Sequence, residues 1–138
     1  MENENTKNNK KVLLMIDDDP VLLRAYEAMF KLHGVEPLLA KSGEEGLKKI
    51  QSELPDFVVI DIRMPNMTGI DLLKILRKDE KFKNLPVLVL TNYDLQEYRK
   101  ETEGLSVVDF IVKTDIRGEE LVKKVTGYLL GDGKEQIR

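Results

Sequence analysis

Five polar residues with complementary chemistry each follow a short apolar run of the sequence. They are Asp17, Asp18, Asp61, Thr91 and Lys113. Three carboxylates held a few ångströms apart in a partly shielded site repel one another, at a cost of about 4 kcal/mol for each pair. A divalent cation offsets this repulsion, and oxygen ligands favour Mg²⁺ over zinc, which prefers nitrogen and sulfur. The pattern therefore predicts a magnesium site.

The same residues supply the groups that phosphoryl transfer requires. An aspartate carboxylate can attack phosphorus and carry the resulting acyl phosphate, a role that we assign to Asp61. Lys113 offers a mobile positive charge, and Thr91 a hydroxyl donor, to the phosphoryl oxygens. The next acid, Asp19, has a structural explanation, because an aspartate before Pro20 is a good helix N-cap, but this leaves Asp17 and Asp18 unexplained. The full set is hard to explain by packing, so we predict a phosphoryl-transfer site.

Alternating strands and helices must position these residues. Apolar runs predict strands at Val12–Ile16, Val35–Ala40, Asp56–Ile60, Val87–Leu90 and Val107–Val112. Helical spacing and capping residues predict helices at Pro20–Leu32, from a Ser42 cap past Ile50, at Gly69–Lys78, at Asp94–Glu103 and at Gly118–Leu130. Because the fourth helix is polar on most faces, we expect it to be the least firmly packed.

Five strands alternating with five helices predict an α/β fold with a doubly wound parallel sheet. Pro37 lacks a backbone donor, and Asp109 adds a charge to its strand, so the second and fifth strands belong at the edges. The flavodoxin-like order 2-1-3-4-5 meets this condition. It opens a ligand crevice at the carboxyl ends of the first and third strands, beside Asp17, Asp18 and Asp61.

The composition limits the kinds of function. The chain has 138 residues, no cysteine and a net charge of -3, which excludes thiolate chemistry and argues against binding nucleic acid by phosphate neutralisation. No apolar stretch approaches the roughly 18 residues that span a bilayer, so we expect no membrane partner. We predict a cytoplasmic protein with a disordered tail at residues 1–10, one domain at residues 11–130 and a second tail at residues 131–138.

The segment Asp61-Ile-Arg-Met-Pro-Asn-Met-Thr-Gly69 resembles the Asp-x-x-Met-Pro-x-Met-x-Gly signature of response regulator receiver domains in two-component signalling. The resemblance is particularly to stand-alone receivers similar to the chemotaxis regulator. The resemblance implies that Asp61 is phosphorylated and that Asp18 binds Mg²⁺ directly, with Asp17 acting through water. It also implies that the Arg63 carbonyl is a metal ligand, that Thr91 is the switch hydroxyl, and that Lys113 contacts the phosphoryl group.

The resemblance further implies a phosphoryl donor and an output. The donor would be a histidine kinase, a phosphotransfer protein or a small acyl phosphate, and the output would be docking to an unidentified downstream protein, a phosphorylation-dependent dimer, or onward phosphotransfer. Phe110 falls at the family's switch aromatic, although packing explains it equally well. Two alternatives are a Mg²⁺-dependent small-molecule phosphatase that uses Asp61 as nucleophile, and a pseudo-receiver that only binds partners.

The chain departs from the family pattern at three places. Thr114 replaces the proline that usually follows the lysine, so we expect no cis peptide after Lys113. Asn92 replaces a small residue and could narrow access to the site. Arg63 and Tyr93 occupy variable positions beside the path of an attacking water, and we predict that their bulk slows loss of the phosphoryl group.

Overall fold

The computed structural model describes residues 10–93 and 95–131. Its five parallel strands are β1 (Leu13–Ile16), β2 (Leu38–Ala40), β3 (Phe57–Ile60), β4 (Val87–Thr91) and β5 (Asp109–Val112). Its five α-helices are α1 (Pro20–Leu32), α2 (Gly43–Glu53), α3 (Gly69–Lys78), α4 (Gln96–Glu103) and α5 (Gly118–Leu129). A short 3₁₀ helix, Lys113–Asp115, follows β5. The sheet order is β2-β1-β3-β4-β5, which confirms the predicted topology.

Several boundaries differ from those that the sequence predicts. Strand β2 begins at Leu38 instead of Val35, because Pro37 cannot donate to a neighbouring strand. Strand β5 begins at Asp109 instead of Val107, directly after a backbone turn in which Ser106 has a φ of +59°. The predicted start of the fourth helix at Asp94 lies outside the described residues, as do nearly all residues of both predicted tails.

The sheet is covered on both faces because its strands alternate their apolar side chains. Leu14 and Ile16 of β1 join a cluster with Leu72 and Leu73 of α3, while Leu13 and Met15 join a second cluster on the opposite face. The side chains of α1 and α5 that complete this second cluster include Leu23, Phe30, Leu121 and Val125. Burial on both faces leaves the strand ends as the places where polar groups of the sheet can meet water.

The strand register brings the carboxyl ends of β1 and β3 together. Ile16 lies opposite Ile60, so the residues that follow them, Asp17 and Asp61, lie side by side at the carboxyl ends of these two strands. On the other side of β3, Thr91 pairs with Val112, which directly precedes Lys113. The parallel register thus gathers residues far apart in sequence.

Capping residues fix where three of the helices begin. The Asp19 carboxylate accepts hydrogen bonds from the N–H groups of Val21 and Leu22, which confirms its predicted capping role. The Ser42 hydroxyl accepts from Glu45 N at 3.0 Å. Thr68 begins α3 through a reciprocal capping box with Asp71. None of the helices in the described part of the chain is long and apolar enough to cross a membrane.

Gly69 allows the first turn of α3 to approach the backbone of Asp61. A Cβ atom at this position would lie 2.3 Å from the Asp61 carbonyl oxygen. The Gly69 N–H also donates to the Ile62 carbonyl at 2.9 Å. The glycine therefore holds the loop after β3 against α3.

Gly69→Ala should lower the free energy of unfolding by about 1–3 kcal/mol, because its methyl group meets backbone that cannot move freely. Gly104→Ala is the matched control. Gly104 has a φ of -67°, and a Cβ there would lie 3.6 Å from its nearest neighbour, so we expect no loss or a gain of about 0.4–1 kcal/mol. Urea unfolding measures both changes, and equal effects would contradict this account of Gly69.

Candidate functional site

Three carboxylates meet at the carboxyl ends of β1 and β3. Asp17 and Asp61 are buried, and Asp18 is exposed. One carboxylate oxygen from each residue lies within 4.8 Å of the others. Backbone hydrogen bonds fix the two buried residues, since Asp17 N donates to the Ala40 carbonyl at 3.1 Å and Asp61 N to the Ile16 carbonyl at 3.0 Å. The sheet itself therefore holds the acids together.

Lys113 reaches this cluster from the end of β5. Its Nζ donates a hydrogen bond to Asp17 Oδ2 at 2.7 Å and lies 3.6 Å from Asp61 Oδ2. Burial would lower the pKa of Lys113, but the hydrogen bond to Asp17 and the charge of Asp61 outweigh it and raise the pKa. Lys113 therefore stays protonated, and positively charged, at neutral pH.

Asp61 carries the unsatisfied charge of the site. Its Oδ1 atom is buried and has no hydrogen-bond partner. Burial raises the pKa of Asp61, and the nearby charge of Asp17 raises it further. Together they exceed the lowering by Lys113, by the Thr91 hydroxyl and by the Ile62 N–H. A buried carboxylate oxygen without a partner is costly, and groups left in this state commonly have a functional reason.

The donor set fits a magnesium ion. Three carboxylates face one lysine ammonium in this cluster, which leaves negative charge uncompensated, and Asp61 Oδ1 is a buried oxygen with no partner. Mg²⁺ favours such oxygen ligands and commonly retains water, for which the exposed Asp18 leaves access. The residues that would hold it are Asp17, Asp18 and Asp61.

An open cleft of about 710 Å³ contains this cluster and continues between α3 and α4. Asp61 and Lys113 line its inner end, and Tyr98 and Glu101 of α4 line its outer part. A phosphoryl group fills a small part of this volume. The cleft therefore has room for the phosphoryl group that the sequence predicts at this site.

Thr91 and Arg63 differ in how they relate to the cleft. Thr91 is fully buried at the end of β4 and does not line the cleft, and its Oγ1 lies 3.5 Å from Tyr93 N. Arg63 lines the cleft, with its guanidinium carbon 4.6 Å from the centre of the Tyr93 ring. The predicted roles of the Thr91 hydroxyl and of the Arg63 carbonyl stay predictions.

Two aromatic contacts near the site were not foreseen from the sequence. Arg63 and Tyr93 were predicted to be bulky neighbours of the site, but not to stack on each other. Arg99 of α4 lies over the Phe110 ring of β5, at 4.6 Å from its centre. No spacing rule links these residues, because each pair joins segments that meet only in the folded sheet. The expected absence of a cis peptide after Lys113 is confirmed.

Comparison with known proteins points in one direction. The family model described as the response regulator receiver domain matches residues 13–126. Hybrid signal transduction histidine kinase D of Dictyostelium discoideum is 33% identical over 123 residues, which is 88% of this chain and 8% of that kinase. Protein PilH of Pseudomonas aeruginosa is 29% identical over 119 residues, 86% of this chain and 98% of PilH.

A solved structure agrees with the sequence comparison. The response regulator receiver domain protein (CheY-like) of Methanospirillum hungatei has a TM-score of 0.80 and 26% identity, covering 91% of this chain and 98% of that one. Similarity therefore extends along nearly the whole of the described chain.

Asp61→Asn should stabilise the fold at neutral pH in the absence of Mg²⁺. The raised pKa means that the folded protein holds the Asp61 proton more tightly than the unfolded chain, where the carboxyl titrates near 3.8. Above the folded-state pKa the buried charge therefore destabilises the fold. Below 3.8 it has little effect, because both states are protonated. The gain from Asp61→Asn should shrink as the pH falls through this range.

Urea unfolding at a series of pH values measures this gain. Asp115→Asn, which alters an exposed carboxylate, is the control and should change stability by less than about 0.5 kcal/mol. An Asp61→Asn protein no more stable than the parent at about pH 7, or a gain that does not vary with pH, would contradict the cost that we assign to the buried charge.

Proposed function

The chain belongs to the response regulator receiver domain family of two-component signalling, and from this membership we propose that it is a phosphorylation switch with Asp61 as the phosphoryl acceptor. Receiver domains interact with histidine kinases or phosphotransfer proteins, and we propose such a donor in the cytoplasm, with a small acyl phosphate as a substitute. The observation that carries the assignment is Asp61 Oδ1, a buried carboxylate oxygen with no partner at the inner end of an open cleft.

The proposed reaction uses Asp61 as a nucleophile. A carboxylate oxygen of Asp61 forms a bond to phosphorus, and the bond between phosphorus and the donor's imidazole nitrogen breaks, so that this nitrogen keeps the electron pair. With an acyl phosphate, the bond to the acyl oxygen breaks instead. Asp61 then carries a mixed anhydride. The chain would therefore catalyse its own phosphorylation without being a multiple-turnover enzyme.

The neighbouring residues would stabilise the transferring group. Lys113 Nζ lies 3.6 Å from Asp61 Oδ2 and hydrogen-bonds Asp17, so a short movement would bring its charge onto a phosphoryl oxygen. Asp17, Asp18, Asp61 and the Arg63 carbonyl are the ligands that we propose for Mg²⁺, which would supply further positive charge beside the phosphoryl group. These charges act in a buried site, where they lose less to solvent screening.

The response to phosphorylation would pass through β4 and β5. We propose that Thr91, buried at the end of β4, turns its hydroxyl towards the phosphoryl group and that the half-buried Phe110 follows. Arg99 contacts the Phe110 ring, so a change there would also reach α4. Such coupling typically amounts to about 1–3 kcal/mol, which means that both states exist before phosphorylation. The altered surface would bind a downstream protein or a second copy.

Acetyl phosphate with Mg²⁺ should add one phosphoryl group to the parent chain and none to Asp61→Asn. Intact-mass analysis measures the label, and removal of Mg²⁺ with a chelator should abolish it. Labelling of Asp61→Asn equal to that of the parent would overturn the assignment of the acceptor. Repeated turnover of a generic phosphate ester would instead favour the small-molecule phosphatase, for which Arg63 stands where such enzymes usually place a second acid.

The stacking of Arg63 on Tyr93 offers a physical reason for the predicted slow loss of the phosphoryl group. Arg63 follows β3 and Tyr93 follows β4, so their contact bridges the two loops that border the cleft. A water that attacks phosphorus must pass beside them, and we propose that the stack restricts this path. The contact is partly exposed, since 43% of Tyr93 is accessible, so its strength is about 0.5–1 kcal/mol.

Arg63→Ala and Tyr93→Ala should each speed phosphate loss by about 2- to 5-fold, which is the rate equivalent of the stacking energy. Intact mass followed over time after removal of the donor measures the rate. Lys81→Ala is the matched control. Lys81 Nζ lies 5.9 Å from the centre of the Phe82 ring, and neither residue lines the cleft. Loss from both site variants no faster than from the parent would contradict the proposed role of the stack.

A further inference from the structure

Arg77 of α3 is bonded to backbone carbonyls of two separate loops. Its Nε donates to Leu105 O at 2.7 Å, its Nη1 to Phe82 O at 3.0 Å and its Nη2 to Leu85 O at 2.9 Å. Its Nη2 also donates to Ser106 O at 3.4 Å. The planar guanidinium suits such a set, because its donors have fixed directions. One half-buried side chain thus joins the loop before β4 to the loop before β5.

These contacts hold the carboxyl end of α4. Leu105 and Ser106 follow the C-cap residue Gly104, and their own N–H groups bond back to Thr102 O and Glu103 O. Thr102, in the last turn of α4, is the one residue of the helix that is fully buried. This end lies near the amino ends of β4 and β5, whereas the cleft lies at the carboxyl ends of the strands.

The amino end of α4 is held much less firmly. Leu95 occupies the N-cap position and makes no side-chain hydrogen bond to the first turn. It is 39% exposed, and the next two residues are exposed as well. An N-cap residue without a side-chain hydrogen bond, followed by exposed residues, is typical of a segment that opens locally at low cost. This end follows Thr91 and Tyr93, so it lies on the side of the phosphoryl site.

We propose that Arg77 is a positioning residue that anchors the carboxyl end of α4, so that phosphorylation moves the amino end while the other end stays in place. The inference rests on the proposed function, since it concerns the response to the same phosphoryl group. Arg77 touches neither Asp61 nor the cleft. Arg77 would determine which part of α4 can move in response to phosphorylation. The contact between Arg99 and Phe110 lies between the anchored end and the mobile end of the helix.

Amide hydrogen exchange, measured by NMR with and without beryllofluoride and Mg²⁺, tests this proposal on the full chain. In the parent, the phosphoryl mimic should change exchange at Tyr98 and Arg99, whose N–H groups bond the Leu95 carbonyl at the amino end, by about threefold or more. It should leave exchange at Leu105 and Ser106 within about twofold. In Arg77→Gln, exchange at Leu105 and Ser106 should rise tenfold or more without the mimic, since hydrogen bonds to a charged group are lost. Addition of the mimic should then change exchange at Leu105 and Ser106 of Arg77→Gln further. A variant that had only lost structure would not respond to the mimic in this way.

Two further variants control the comparison. Lys78→Gln removes the same charge from the next, exposed position of α3 and should behave as the parent. Arg77→Lys keeps the charge without the planar set of donors, and it should give an intermediate response if Arg77→Gln does not fold. Changes at Leu105 and Ser106 in the parent as large as those at Arg99 would overturn the anchor alone. No change at any amide, together with no labelling of Asp61, would overturn both the anchor and the proposed function.

Discussion

The hydrogen bond between Lys113 and Asp17 holds together a site that would otherwise repel itself. Asp17, Asp18 and Asp61 converge within 4.8 Å at the end of two central strands, and Lys113 bonds one of these acids and approaches a second. We propose that the remaining negative charge gives the site its affinity for a cation, and through that cation for a phosphoryl group. We propose that the same ammonium leaves Asp17 for a phosphoryl oxygen, a movement that would link binding of the group to a rearrangement of β5.

The rest of the fold serves to keep this unfavourable cluster in place. The parallel register sets Asp17 beside Asp61, and apolar side chains on both faces of the sheet fix the strands that carry them. Gly69 lets α3 close on the loop after β3, so the backbone around Asp61 is held on both sides. In contrast, α4 has one buried residue, and its N-cap residue Leu95 makes no side-chain hydrogen bond to the first turn. The structure thus combines a firmly held Asp61, the acceptor that we propose, with a helix that is held mainly at one end.

Much of this could be predicted from the sequence because it depends on local rules. Uninterrupted apolar runs predicted the buried strands, Asp19 and Ser42 predicted helix starts, and Pro37 and Asp109 predicted the sheet edges, from which the strand order followed. That order placed Asp61 near Asp17. What the sequence could not supply were contacts between segments that only the folded sheet brings together, such as Arg63 on Tyr93 and the carbonyls that Arg77 binds. The exact start of β2 was also missed, because proline limits a strand without stating where pairing resumes.

Since the account depends on uncompensated charge at Asp17, Asp18 and Asp61, the most direct test is calorimetric titration of Mg²⁺ into the parent, Asp18→Asn and Asp19→Asn. Asparagine caps a helix as well as aspartate does, so Asp19→Asn removes a nearby charge while it preserves the start of α1. We predict that Asp18→Asn binds Mg²⁺ at least about tenfold more weakly than the parent and that Asp19→Asn stays close to it. Equal affinities for the parent and Asp18→Asn would contradict the central claim that the three acids are assembled to bind a cation.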